Sequence, residues 1–169
     1  MNSIVVGISD CRVSDDPEGV LLTYALGSCI GVAVHDPVRG IAGLLHFMLP
    51  DSTLDEAKAR EKPCMFADTG IPFLIGELCA RGAERRSLVV RIAGGAQILN
   101  GTESFQIGRR NYLAARKLLW KMGVLVSAEA VGGDVSRTVR LEVKTGRTYV
   151  REGTIDRAMT GRRTAGGGS

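Results

Sequence analysis

The stretch Leu21–Pro50, LLTYALGSCIGVAVHDPVRGIAGLLHFMLP, constrains the fold more than any other part of the chain. Two apolar segments, Ile30–His35 (IGVAVH) and Gly40–Phe47 (GIAGLLHF), flank Asp36–Arg39 (DPVR), a turn sequence by composition. Segments of six and eight residues rich in Val, Ile and Leu have the length of strands. A parallel crossover needs about a dozen connecting residues. Four residues leave only an antiparallel hairpin.

The rest of the chain repeats this style. Ser3–Ser9 and Gly19–Ala25 read as strands joined by a polar Asp/Pro/Gly loop. Asp51–Lys62 is highly charged and reads as a mobile loop or short helix. Asp68 or Thr69 can cap a helix running to about Arg81, with Pro72 in its first turn and Gly82 just past its end. Leu88–Ala93 reads as a strand. Ile107–Met122 places Leu113, Ala114, Leu118 and Met122 on one helical face, ended by Gly123. Val124–Val131, Arg137–Val143 and Arg147–Arg151 are late strands, the last pair turning at Thr145-Gly146. Strands outnumber helices and hairpins predominate. The expected class is α+β, a largely antiparallel sheet system with helices packed against it.

At 169 residues, 44% apolar and 24% charged, the chain fits one ordinary globular domain. That domain is placed at residues 1–156, with 157–169 as a basic, Gly-rich tail expected to be disordered. No apolar run approaches the roughly 20 residues of a membrane span, and MNSIVVGISD does not read as a secretory signal. The expected location is the cytoplasm, with no membrane insertion. The net charge of +4 is compatible with nucleic-acid binding, but half of it falls from Arg151 onward and aromatics are only 5%. Nucleic acid is not expected as a partner. Cys11, Cys29, Cys64 and Cys79 include no pair spaced by two residues, and His35 and His46 are the only histidines, so neither a metal site nor a cofactor is expected.

Hairpin geometry makes two of these residues interesting. If Asp36–Arg39 is the loop and His35 faces Gly40, Cys29 falls opposite His46. If Ala25-Leu26-Gly27 is also a loop, Thr23 falls opposite Cys29, giving a Thr–Cys–His row across three neighbouring strands. A slip of one residue would send one member to the other face. A histidine beside a thiol can take or give its proton, and a hydroxyl can fix the imidazole's tautomer. Gly27 and Ser28 allow a tight turn whose N–H groups point at a developing oxyanion. Spacing alone leaves two accounts open: a cysteine nucleophile with its histidine, or a core cysteine and a satisfied histidine.

The same run, Leu21–Pro50, resembles the signature of the CheD family, the chemoreceptor glutamine deamidases of chemotaxis. The resemblance continues through FADTGIPFLIGEL (Phe66–Leu78), RIAGGAQIL (Arg91–Leu99), IGRRNYLAARKLL (Ile107–Leu119) and AVGGDVSRTVRLEVKTG (Ala130–Gly146). It implies a nucleophile at Cys29 in GSC, a histidine at His46 in HFMLP and a threonine at Thr23, six residues before the cysteine. It further implies a layered α/β sandwich similar to toxin-type glutamine deamidases. The implied reaction converts glutamines of a methyl-accepting receptor to glutamate through a thioester on Cys29, with no cofactor. Members of the family can also pair with a CheC-type phosphatase, which makes a regulatory adaptor the alternative role. Ala130 is a departure, since an acidic residue often precedes VGG in relatives.

Other features have plainer readings. Gly94-Gly95 and Gly132-Gly133 lack phosphate-loop spacing and read as turns of positive φ. Gln97, near the first glycine pair, is a candidate for lining the site. Arg109-Arg110 opens a helix, where positive charge opposes the helix dipole. The pair reads first as a solvated helix start, with an acidic partner or an internal carboxylate as the alternatives.

Overall fold

The computed structural model describes residues 1–97 and 106–160. Its strands form two five-stranded sheets. The outer sheet has the order β1 (Asn2–Val5), β3 (Gly19–Leu26), β8 (Arg137–Glu142), β9 (Thr148–Glu152), β10 (Ile155–Ala158). The middle sheet has the order β2 (Asp10–Ser14), β5 (Ile41–Phe47), β4 (Ile30–Asp36), β6 (Val89–Gly94), β7 (Val126–Val131). The short helix α1 (Glu56–Glu61) leads to α2 (Ala67–Ala80), and α3 (Ile107–Lys121) follows later. The β1–β3 and β6–β7 pairs are parallel and the other ladders antiparallel. Two mainly antiparallel sheets with helices on one side make an α+β sandwich, as expected.

Strand alternation divides the core into two layers. On β5, Ile41, Leu45 and Phe47 join the apolar cluster beneath α2 and α3. Ala42 and Leu44 join the cluster between the sheets. The α2 helix presents Ala67, Ile71, Leu74, Ile75 and Leu78 to the first layer, a spacing that lines one helical face. It starts earlier than its capping residues suggest. Asp68 lies inside the helix, and its carboxylate accepts from the Ser52 amide at 2.9 Å and hydroxyl at 2.6 Å instead. Gly82, at φ 100°, follows the C-terminus as expected.

Three expectations need correction. The hairpin loop is Pro37–Gly40, because Asp36 is the last paired residue. Its carboxylate accepts from Val38 N–H at 2.9 Å, its carbonyl accepts from Gly40 N–H at 2.9 Å, and Gly40 at φ 68° completes the turn. The register is therefore two residues from the expected one, and Gly31 opposes His46. A two-residue shift preserves the face, so Cys29 stays on the His46 side. The Asp/Pro/Gly loop holds a strand: β2 pairs with β5, and Cys11 and Val13 pack towards the helices. Its alternating polar residues and its length of five hid it. Finally, β10 crosses the boundary placed at Asp156, and Met159 is buried between the sheets. All four β10 residues are exposed, so no apolar pattern marked it. Residues 161–169 of the expected tail lie outside the described residues.

Candidate active site

Thr23 on β3 and His46 on β5 meet between the sheets, and both are fully buried. The Thr23 hydroxyl donates to the Val6 carbonyl at 2.7 Å. It has one proton, so its contact with His46 Nδ1, also 2.7 Å, must be accepted from Nδ1–H. The network thereby assigns the tautomer: Nε2 carries the lone pair. Nε2 is buried and has no hydrogen-bond partner. Desolvation of the ring pushes the His46 pKa down to about 4, so the imidazole is neutral at pH 7. The backbone is fixed as well, since the His46 carbonyl accepts from Ser9 N–H at 2.8 Å.

Cys29 ends the short crossing that carries the chain from β3 in the outer sheet to β4 in the middle sheet. Two neighbouring segments, the end of β6 and α3, clamp that crossing. Gly95 N–H donates to the Cys29 carbonyl at 2.9 Å, and Ala96 N–H donates to the Gly27 carbonyl at 2.8 Å. Gly94, at φ 112°, comes so close that an added Cβ would sit 2.1 Å from the Cys29 oxygen. Only glycine fits there. Arg137 holds this segment by donating to the Gly94 and Gly132 carbonyls at 3.2 and 2.8 Å. From α3, the buried Asn111 amide donates to the Ser28 carbonyl at 3.0 Å and the Met48 carbonyl at 2.8 Å. One side chain thus ties the residue before Cys29 to the strand end just past His46.

The sequence-expected residues come together differently from the expected row. Thr23 is not a strand neighbour of Cys29; β3 pairs with β1 and β8, and Thr23 reaches His46 from the opposite sheet. The reason lies in the supposed loop. Leu26 still belongs to β3, Ala25 takes φ 57° at an irregularity in the ladder, and the chain then leaves the sheet. Cys29 packs against the cluster between the sheets, on the same side as His46. No hydrogen bond joins His46 Nε2 to its thiol. Burial pushes the Cys29 pKa up, so the resting pair is uncharged. Gly31, opposite His46, contributes no side chain, and an added Cβ would lie 3.0 Å from Leu26. Of the two expected oxyanion donors, Gly27 N–H is already given to the Ala25 carbonyl at 3.0 Å. The amides of Ser28 and Cys29 donate to no backbone carbonyl among the described residues.

Sequence reasoning missed Asn111, Arg137 and Gly31. Asn111 had a readable signal. It lies in helical phase with Gly108, Ala115 and Leu119, the face that is actually buried. Of the expected face, Ala114, Leu118 and Met122 pack against the core as partly buried residues, whereas Leu113 points to solvent. The glycine pairs are turns, with φ of 112° and 62° at Gly94 and Gly95 and 79° and 70° at Gly132 and Gly133. Gln97 lines a cavity of about 440 Å³ with Gly95, Arg109, Tyr112, Gly132 and Gly133. That cavity adjoins the Cys29 crossing through Gly95.

These features define a class: an α+β sandwich with a threonine-held histidine and a clamped cysteine turn between its sheets. The family follows from comparison. Residues 48–152 match the model described as CheD chemotactic sensory transduction. The chain is 58% identical over 152 residues, 90% of each chain, to a probable chemoreceptor glutamine deamidase CheD of Solibacter usitatus. It is 52% identical to a second such protein, of Syntrophus aciditrophicus, over 89% of this chain and 94% of the relative. A third, from Syntrophotalea carbinolica, is 45% identical over 86% of this chain and 91% of the relative. The protein belongs to the CheD family. The family-model match begins after His46, but a 152-residue match within 169 residues must include Thr23, Cys29 and His46.

Proposed function

We propose that this protein hydrolyses glutamine side-chain amides of chemoreceptors, with Cys29 as nucleophile, His46 as proton carrier and Thr23 as the residue that orients it. The observation that carries this reading is the Thr23–His46 hydrogen bond, which leaves Nε2 as an unpartnered base in a buried layer shared with Cys29. Relatives named as chemoreceptor glutamine deamidases support the choice of substrate.

The resting pair being neutral, attack begins with transfer of the Cys29 thiol proton to His46 Nε2 as sulfur bonds to the carboxamide carbon. Amides of the Cys29 turn, Ser28 and Cys29 in place of Gly27, face the developing oxyanion. Each such donor contributes about 10²–10³-fold. The imidazolium then gives its proton to the leaving nitrogen. Ammonia departs and a glutamyl thioester remains on Cys29. Water gives a proton to Nε2 and attacks the thioester, and the departing sulfur recovers that proton, leaving glutamate and the starting enzyme. Charge on His46 is transient, and the Nδ1–H bond to Thr23 holds the ring through both transfers.

The test is peptide mass spectrometry on a receptor cytoplasmic fragment incubated with the wild-type protein or with Cys29→Ala. Conversion of particular glutamines to glutamates by wild type alone is expected. No conversion by folded, reduced wild type would overturn the enzyme reading for that receptor, and retained binding would then point to an adaptor.

A further inference from the structure

The outer face of α3 has no role in the chemistry above, yet it is an unusual surface. Its buried side is Gly108, Asn111, Ala115 and Leu119. On the opposite side Leu113 and Trp120 are 50% and 78% exposed. They lie seven residues apart, on one line of the helix about 10 Å long. Neither packs against either hydrophobic cluster. Leu125, just past the helix, is also 78% exposed. Trp120 is the chain's single tryptophan, and in this position it contributes little to the fold.

Cations flank that ridge. At 100° per residue, Arg109 and Arg116 run along one side and Arg110, Lys117 and Lys121 along the other. The helix holds these five cations and no acid, so its charge exceeds the chain's whole net of +4. Only Arg116 has an ion pair among the described residues, with Glu129 at 3.7 Å. Arg109 and Arg110 sit in the first turn, where positive charge weakens a helix. Helix stability therefore does not explain them.

We infer that this face docks an acidic, amphipathic helix of the protein substrate, with an apolar line against Leu113 and Trp120 and carboxylates against the cationic rows. The inference rests on the proposed function and adds how the substrate is held. Charge complementarity selects the acidic partner. Shape selects a helix, because a narrow ridge between two charged rows matches a cylinder, whereas a membrane-binding helix needs a broad apolar face. Position links docking to chemistry. The same helix holds the Cys29 turn through Asn111, and Gly108 packs on Gly95 beside the Cys29 carbonyl. A partner on the outer face therefore rests on the element that positions the Cys29 turn, about one helix diameter, roughly 10–12 Å, away from it. Exposed tryptophan ringed by charge is also the composition of an interface centre.

The experiment compares wild type with the folded variant Trp120→Ala/Lys117→Glu/Lys121→Glu. Four readouts are used: kinetics on a receptor cytoplasmic fragment, turnover of a short glutamine peptide, Kd of the fragment in the Cys29→Ala background, and binding to phosphatidylglycerol vesicles. KM and Kd for the fragment should rise about tenfold or more, the range expected when an interface anchor is removed. The fragment's kcat and short-peptide turnover should not change, and the salt dependence of KM should flatten. Unchanged KM and Kd would overturn the inference. So would loss of binding to phosphatidylglycerol vesicles with fragment KM intact, which would assign the face to a lipid surface. The Kd arm separates the two claims: if wild type fails to deamidate, the enzyme reading falls, while docking stands or falls on the Kd change.

Discussion

The two faces of the middle sheet divide the work of this protein. Towards the helices, β5 presents Ile41, Leu45 and Phe47 to a layer of mostly apolar side chains, with Asn111 of α3 as its buried polar member. Towards the outer sheet it presents Ala42, Leu44 and His46, and that layer also holds Thr23, His35 and Arg137 among its buried residues. Under the proposed function, one strand thus supplies stability on one side and chemistry on the other. The alternation of the strand is what permits it: a buried polar group on one face leaves the packing of the other untouched. The polar groups survive burial because carbonyls receive them. Thr23 donates to Val6, His35 Nε2 meets the Val143 carbonyl at 3.0 Å, and Arg137 donates to Gly94 and Gly132.

Adjacent residues on β5 give the largest expected contrast. His46→Gln should lower kcat by about 10³-fold or more while the protein stays folded, because it removes the proposed proton carrier. Phe47→Ala should do the reverse. It should cost about 3–5 kcal/mol of stability by leaving a cavity under the helices, with kcat little changed in the folded fraction. Denaturant melts together with receptor-fragment kinetics check both. Activity that survives His46→Gln would remove the division between the faces.

The polar layer should also reveal itself through pH. An unfolded histidine titrates near 6.5, whereas folded His46 is pushed down to about 4 by burial. As pH falls through 6.5, the unfolded chain gains a proton that the folded protein refuses, so stability falls. The loss runs from about 6.5 down to about 4 and amounts to about 3 kcal/mol. The His35 pKa is lowered by burial too and acts in the same direction. Chemical melts across that window should show the decline in wild type and a much smaller one in His46→Gln. Equal declines would mean that His46 is not the group responsible.

How much of this was legible depended on how far apart the partners lie in sequence. The β4–β5 hairpin is local, and both strands could be read to within a residue because Val, Ile and Leu cluster around DPVR. The register escaped by two residues because the turn is decided by the Asp36 carboxylate and the positive φ of Gly40, not by loop length. The pairing of Thr23 with His46 is a contact between sheets. The residue types suggested it, but strand geometry alone placed Thr23 in the wrong ladder. Edge strands β2 and β10 have little or no buried face, so they left no hydrophobic pattern. Asn111 was hidden by its neighbours: Ala114, Leu118 and Met122 mark only one edge of the buried face, and the fully buried line beside them begins with a glycine and an asparagine, which carry no apolar signal.

Asn111 sits where the two layers meet the Cys29 turn, and its removal sharpens the comparison. Asn111→Leu keeps the branching of the side chain, at a somewhat larger volume, but frees the Ser28 and Met48 carbonyls from their shared donor. Small misplacements of reacting groups can cost up to about 10²-fold, so kcat should fall roughly 10–100-fold. KM for the receptor fragment should stay within about twofold, because α3's outer face is intact. The alkylation rate of Cys29 should change as well. A lower Tm with unchanged kcat and unchanged thiol reactivity would make Asn111 a structural residue only.

The smallest expected effect concerns Thr23, and it asks what the hydroxyl contributes beyond filling space. Thr23→Val has nearly the same shape but cannot accept the His46 Nδ1–H. The ring then keeps its place yet loses the bond that selects its tautomer. A neutral hydrogen bond is worth about 1 kcal/mol, so kcat should fall about fivefold. Thr23→Ser restores the hydroxyl without the methyl, and should recover most of kcat while remaining less stable. That reversal separates the two layers within one side chain: the methyl belongs to packing and the oxygen to catalysis. Equal kcat for the valine and serine variants would show that His46 is held by its surroundings, and that the hydroxyl has no part in setting its tautomer.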